Sequence, residues 1–418
     1  MNTPHAARSQ GRTTLALATL FLGTFVLGSA ELLPVGVINV IAADLRVSIP
    51  AAGALVTAYA IGVAVGGPLL TALTIKMNKR TVLAGALLLC AAGNLAPVLV
   101  ADHALFVAAR AFTGALGGLF VAVAFVVGTS IVPPERMGRA ISAVFGGFAV
   151  SGALGVPLGT LIGQELGWRG SFVAVVALAV VALVATLALV PPVAGAGGGA
   201  RDQARYAFAP RVLALLALQA LGFASLYAAL TYIVPFLQNV TGVSGALISA
   251  FLLAYGAASA AGSIAGGRFA DDNAARTLTV GTVAVALSLL ALYLAGAVAF
   301  LVVLALLAWG LFAMGMVPSL QYRVVSLAGP GGALASSLPA SAANVGIAAG
   351  SAAGGAAIGG STASAPVLTG LVIAVVAIPV AWATGFLKPP VTGDDPEPDP
   401  AADTAADTAA DTAAGRRS

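Results

Sequence analysis

The sequence predicts an all-α membrane protein of twelve transmembrane helices arranged as two pseudo-symmetric six-helix bundles, on three observations. Of its 418 residues 60% are hydrophobic and only 8% charged, with a mean hydropathy of +1.03. An ordinary soluble domain carries roughly 25% charged residues and has no way to hide this much apolar surface. The apolar residues fall in long runs, each near the about 20 residues of a bilayer crossing, without the alternation of a membrane barrel. Lys and Arg gather on alternate loops, as they do where positive charge marks one side of a membrane.

The runs span 15–41, 51–75, 81–101, 104–129, 139–163, 170–192, 211–236, 246–267, 277–296, 297–321, 335–360 and 365–387. Only Ala295 and Gly296 mark the break between the ninth and tenth, but together those two runs are far too long to cross once. On the side of the N-terminus lie Arg8, Arg12, Lys76, Lys79, Arg80, Arg136, Arg139, Arg201, Arg205, Arg211, Arg268, Arg276, Arg323, Lys388, Arg416 and Arg417, 16 of the 19 basic residues. Arg46 and Arg169 fall on the other side, and Arg110 within a span. An even count with this asymmetry predicts a multi-pass protein of the inner (plasma) membrane with both termini cytoplasmic. The segment Met1–Arg12 leads into a run too long for a signal-peptide core, so that run is expected to remain as helix one.

The organisation expected is an N-terminal tail (1–14), a first bundle (15–192), a Gly/Ala-rich cytoplasmic linker (193–210), a second bundle (211–387) and a disordered tail (388–418) repeating Ala-Ala-Asp-Thr from Ala401 to Thr412. The halves resemble each other. Gly53 to Tyr59 opens helix two and Gly245 to Phe251 opens helix eight, matching in residue character at an offset of 192, and each helix ends in a Gly pair, Gly66-Gly67 and Gly266-Gly267. The single cysteine, Cys90, allows no intrachain disulfide, and His5 and His103 have no partner at metal-ligand spacing, so neither metal nor cofactor is expected.

An ionisable group in hydrocarbon costs about 2.5–3.5 kcal/mol on insertion scales and persists for a reason. Of the 15 acids, 14 sit at loops or in the tail; Glu31 alone is deep, about 15 Å from the outer end of helix one at 1.5 Å per residue. Desolvation there favours its neutral form, which suits either a group that loads and releases a proton or a protonated hydrogen-bond donor to a neighbouring helix. Arg110 lies about 12 Å into helix four. Its position serves equally an inward contact and a side chain snorkelling to the interface. Asn39, Tyr59, Asn94, Gln219, Tyr227, Tyr232, Gln238, Gln321 and Asn344 are the polar residues within spans, each able to bond a neighbouring helix. Asn39, Tyr59, Tyr227, Tyr232, Gln238 and Asn344 are the candidates for substrate contact. Helix five (Gly147, Gly152, Gly155, Pro157, Gly159, Gly163) and helix eleven (Gly346, Gly350, Gly354, Gly355) carry small residues that let helices approach closely, and Pro157 removes a backbone bond.

These motifs resemble the major facilitator superfamily, and within it the twelve-helix drug, sugar and nucleoside efflux branch that includes arabinose-type and chloramphenicol exporters. Ala30-Glu31-Leu32-Leu33-Pro34 with Ala43-Asp44-Leu45 is similar to that branch's first-helix signature. Arg110-Ala111-Phe112-Thr113-Gly114 resembles the helix-four motif that the family associates with proton coupling, which favours an inward role for Arg110. Gly147 through Gly159 resembles the antiporter motif of helix five, Trp168 to Phe172 the outer turn after it, and Thr231 to Leu237 and Asn344 to Ala348 the signatures of helices seven and eleven. The loop after helix two departs from the pattern, since Thr74-Ile75-Lys76-Met77-Asn78-Lys79-Arg80 lacks the acid of the family's conformational latch, whereas Gly267-Arg268-Phe269-Ala270-Asp271 keeps it.

The resemblance implies a secondary transporter rather than an enzyme, a proton-coupled efflux antiporter working by alternating access, and the scarcity of charges within the spans suits a small neutral or amphiphilic substrate. Glu31 and Arg110 would couple protons, and Lys79, Arg80, Gly155, Pro157 and Asp271 would gate. An importer of a small metabolite is the alternative, separable by accumulation with and without an uncoupler. A membrane enzyme or receptor would need a clustered catalytic constellation or a sizeable soluble domain, and the sequence offers neither. The expected partners are the substrate, protons and the lipid bilayer, with no nucleic acid, for a chain working as a monomer.

Overall fold

A computed structural model of the protein describes residues 4–133, 137–194, 205–329, 335 and 338–389. The first bundle comprises α1 (Pro4–Leu45), α2 (Ile49–Leu73), α3 (Lys79–Leu99), α4 (His103–Ser130), α5 (137–166) and α6 (Gly167–Leu189). The second comprises α7 (210–241), α8 (Ala246–Gly267), α9 (Asn273–Ala295), α10 (Ala299–Ala328), α11 (Leu338–Gly360) and α12 (Ala365–Thr384). Eleven of these are long and apolar enough to cross a bilayer among the described residues. The twelfth, α11, has 23 residues and hence a length of about 35 Å, but Gly, Ala and Ser dilute its apolarity. It packs against α7, α12 and, across the two halves, α2. The break between α9 and α10 falls at Gly296, as expected. The tail repeat and most of the linker lie outside the described residues.

Local chemistry sets the helix ends. Ser48 accepts a hydrogen bond from the Ala51 amide at the start of α2, Asn78 from that of Arg80 at α3, and Asp102 from that of Leu105 at α4. Between α5 and α6 there is no loop at all. The chain turns on Gly167 at φ +74°, a conformation that glycine adopts without steric cost. Prolines leave a second mark. Residues Gly62–Gly66 of α2 and Ser151–Gly155 of α5 form π-helical turns, and Pro68 and Pro157 follow each by two residues. A proline offers no N–H and crowds the carbonyl four residues back, so one extra residue in the turn relieves the ladder.

The glycines show how the halves correspond. A Cβ on Gly114 of α4 would collide with the Tyr59 carbonyl of α2, and one on Gly310 of α10 with the Tyr255 carbonyl of α8. Gly66 meets Ala115 as Gly262 meets Leu311. The structural offset between α2–α4 and α8–α10 is therefore 196, one helical turn from the 192 of the sequence match. The difference has a cause at the caps: Ser48 and Pro50 start α2 four residues before Gly53, whereas Gly245 is itself the cap of α8 at φ +58°. In the same way Gly155, Gly159 and Gly163 of α5 seat on Ser29, Leu33 and Val37 of α1, and Gly346, Gly350 and Gly354 of α11 on the Ala220, Ala224 and Ala228 carbonyls of α7.

Candidate functional site

The site begins with Pro34 in α1. Its missing N–H leaves the Ala30 carbonyl, four residues back, without its helical partner, and α1 breaks from helical geometry at Val37 (φ −121°, ψ 16°). Arg110 of α4 answers that gap. Its guanidinium donates to the Ala30 carbonyl at 2.7 Å, to the Glu31 carbonyl at 2.9 Å and, through Nε, to the Leu55 carbonyl of α2 at 3.3 Å. The Tyr59 ring lies beneath it, 4.3 Å from the guanidinium carbon to the ring centre, in a cation–π contact. Arg110 is 1% exposed, so the cation points inward rather than snorkelling.

Glu31 lies on the same stretch of α1 and is 8% exposed. Arg110 bonds its backbone carbonyl and not its carboxyl group, which has no hydrogen-bond partner among the described residues. The carboxyl remains in electrostatic range of Arg110, of Tyr59 and, across the midline, of Tyr227 of α7. Around this core the second bundle contributes rings rather than charges. Phe223 stacks on Tyr227 at 6.4 Å, and Tyr255 tilts against Trp309 at 5.3 Å. Trp309 is fully buried and its indole N–H has no partner among the described residues. Sequence reasoning did not select Tyr255, Trp309 or Phe223. The missing signal was the offset of 196, which carries Tyr59 onto Tyr255.

The other polar candidates lie elsewhere. The Asn39 amide donates to Gln238, joining α1 of one half to α7 of the other at the face opposite the N-terminus. Tyr232 donates to the Ser351 carbonyl at 3.0 Å and presses on Gly53, while the Ser351 hydroxyl donates to the Gly53 carbonyl at 3.3 Å. These residues join the ends of the two halves at the face opposite the N-terminus. Asn344 bonds the Ala340 carbonyl of its own helix, near the N-terminal face, and its amide oxygen is buried without a partner. Asn94 likewise bonds its own helix, at the Cys90 carbonyl. Gln219 faces a small cavity of about 40 Å³ inside the second bundle, beside Thr282 and Met316. The Gln321 side chain makes no hydrogen bond among the described residues.

Among the gating candidates, Lys79 is buried, its ammonium group donating to the Ile75 carbonyl at 2.8 Å and the Thr74 carbonyl at 3.3 Å, at the C-terminal end of α2. Arg80 donates to the Leu187 carbonyl near the end of α6. Arg211 and Arg323 do the same for α10 and α12, through Leu327 at 2.7 Å and Thr384 at 2.6 Å. Even-numbered helices all end at this face, so their unpaired carbonyls and negative dipole ends converge there, and cations satisfy both. Gly155 closes the π turn of α5 against Ser29, and Pro157 follows it. The Asp271 side chain lies outside the described residues. On the opposite face the Asp44 carboxylate accepts from Arg169 at 2.6 Å and from the Trp168 indole at 2.9 Å, closing α1 onto the start of α6.

Two six-helix bundles of matching internal contacts, with one buried carboxyl and one buried guanidinium in the first, have the architecture of a membrane transporter. The chain belongs to the Major Facilitator Superfamily, whose profile matches residues 20–337. It is 34% identical over 342 residues to the uncharacterized MFS-type transporter YtbD of Bacillus subtilis, covering 80% of this chain and 86% of that protein. Over 339 residues it is 32% identical to the inner membrane transport protein YdhP of Escherichia coli K12, covering 80% and 86%. The chloramphenicol resistance protein of Streptomyces lividans is 32% identical over 343 residues, covering 80% and 87%. In three dimensions the chain matches a bacterial homologue of the human lysosomal transporter Spinster, in an inward-facing and unoccupied conformation, with a TM-score of 0.76. That match covers 92% of this chain and 98% of the other at 16% identity, a likeness of fold. The protein is a multi-pass transporter of the inner membrane.

Proposed function

We propose that the protein is a proton-coupled efflux antiporter that exports a small neutral or amphiphilic molecule by alternating access, with Glu31 as the proton carrier. The observation that carries this reading is the Glu31 carboxyl group: buried, close to a permanent cation, and without a hydrogen-bond partner among the described residues. A buried carboxyl with a purely structural role is expected to be tied to a partner. One that gains and loses a proton has to be released from such ties. Protonated, Glu31 is neutral and suits a closed apolar site; deprotonated, it is drawn to the Arg110 guanidinium. Each proton thus changes the charge beside a fixed cation by one unit, and biases the balance between conformations that differ in how they expose that charge. Tyr227, Phe223, Tyr255 and Trp309 offer apolar faces and a few hydroxyl or N–H groups, the surface a neutral amphiphile needs. In this reading the N-terminal face is cytoplasmic, Lys79, Arg80, Gly155, Pro157 and Asp271 act in gating, and the chain works as a monomer because one chain supplies both halves of the site. The Streptomyces lividans relative is named for resistance to chloramphenicol, and export is the direction in which a transporter confers resistance.

The test is proton-driven export in everted vesicles. Glu31→Gln should abolish it while the protein remains folded and monodisperse. Undiminished export by that variant would remove Glu31 from the mechanism. Substrate accumulation in cells that rises when an uncoupler is added supports export, whereas a fall supports the importer.

A further inference from the structure

Away from the central site, the loop after α2 and the first turn of α3 carry three cations, Lys76, Lys79 and Arg80, and no acid. Lys79 is engaged by helix-end carbonyls. Arg80 gives one N–H to the Leu187 carbonyl and lines a groove of about 580 Å³ between α3 and α6, a volume within the ~300–1,000 Å³ of ordinary ligand sites. Asn78 and Thr81 share its mouth with Arg80, and Gly85, Leu88 and Leu183 form its apolar walls. The groove follows α3 from Asn78 to Leu88, about 15 Å at 1.5 Å per residue, which is one leaflet of a hydrocarbon core about 30 Å thick. Gly85 is telling. A glycine in mid-helix is unfavourable relative to alanine, and helix packing does not require it, because a Cβ there would meet no atom within 4 Å. What a side chain at 85 would occupy is the groove itself.

We propose that this groove binds an anionic phospholipid from the leaflet at the N-terminal face. The lipid phosphate sits at the mouth against the Arg80 guanidinium, the Asn78 amide and the Thr81 hydroxyl, and one acyl chain lies along Gly85, Leu88 and Leu183. Cation at headgroup level, no neutralising acid in the loop and an apolar channel one leaflet deep fit a lipid. A free phosphate ion would use the mouth alone. The site is on the outer wall of the first bundle, so it stands independently of the direction of transport.

Native mass spectrometry tests it on the purified full-length protein, loaded with equal amounts of phosphatidylglycerol and phosphatidylethanolamine of identical chains. The wild type should retain phosphatidylglycerol in preference. Arg80→Gln should cut that preference about fivefold, the effect of one surface cation on an anionic lipid. Gly85→Leu, which adds apolar bulk in open space and leaves every polar contact, should lower retention of both lipids; Leu183→Trp fills the groove from the opposite wall should the first variant fold poorly. Equal retention of the two lipids by the wild type overturns the proposal. So does unchanged retention in both groove-filling variants, or full displacement of the lipid by millimolar inorganic phosphate.

Discussion

Arg110 acts on the backbone of α1. Among its acceptors, the Ala30 carbonyl is the one that Pro34 deprives of a helical partner, whereas the Glu31 and Leu55 carbonyls face residues that still carry an N–H. A buried acceptor left without a partner costs about 1–3 kcal/mol. Arg110→Lys keeps the charge but lacks the planar fork that reaches three carbonyls at once, so it should destabilise the protein by about that amount, read from thermal or denaturant unfolding in detergent. Pro34→Ala restores an N–H to residue 34 and with it the bond to Ala30. In that background Arg110→Lys should cost less, with a coupling of about 1 kcal/mol between the two sites. Additive losses would show that the Ala30 bond does not carry the role of Arg110. The burial of Glu31 was legible in the sequence because ionisable residues are so scarce in its apolar runs, whereas position left the direction of Arg110 open and only the helix-four motif favoured its inward role. The partner of Arg110 was not, because it is a carbonyl exposed by a proline 76 residues away in the chain, and backbone acceptors leave no mark in side-chain composition.

At the level of the helix, the same logic makes glycine spacing meaningful. Gly346, Gly350 and Gly354 of α11 each meet a carbonyl of α7 so closely that no Cβ fits, which draws the two backbones together along about two turns. Gly350→Ala should therefore destabilise by about 1–3 kcal/mol through overpacking. A Cβ on Gly222 of α7 would meet nothing within 4 Å, so Gly222→Ala should be neutral or stabilising by up to about 1 kcal/mol through helix propensity alone. Unfolding midpoints of the two variants, measured side by side, should move in opposite directions or differ clearly in size. The apolar runs made the twelve helices and even the slender break at Gly296 legible. They could not show the π turns before Pro68 and Pro157, which depend on how a proline is accommodated in a packed helix, nor that α1 extends to Leu45 beyond the expected end at 41.

Across the whole molecule, matching glycine contacts build two halves with the same frame and different chemistry. At the offset of 196, Tyr59 corresponds to Tyr255, but Arg110 corresponds to Leu306, which is fully buried. The cation and the deep carboxyl belong to the first half alone, and the second half supplies rings. Sequence similarity predicted the duplication; it could not predict where the halves touch, since Asn39 and Gln238 are 199 residues apart and each reads as an ordinary polar residue within a span. Among the described residues, the side-chain hydrogen bonds that join the halves, Asn39 to Gln238 and Ser351 to Gly53, both lie toward the face opposite the N-terminus. Tyr232 on Gly53, and Gly359, where an added Cβ would lie 3.2 Å from the Pro50 ring, close the same region. If transport requires the halves to part there, tying them together must stop it. With the buried Cys90 replaced by Ala, Asn39→Cys and Gln238→Cys should be joined readily by a short bifunctional thiol reagent in resting membranes. Transport should then fall to background relative to the same double variant before cross-linking, and return when a cleavable linker is cut. Continued transport through a fully cross-linked population would mean that the halves exchange access without separating at the ends of α1 and α7 on that face.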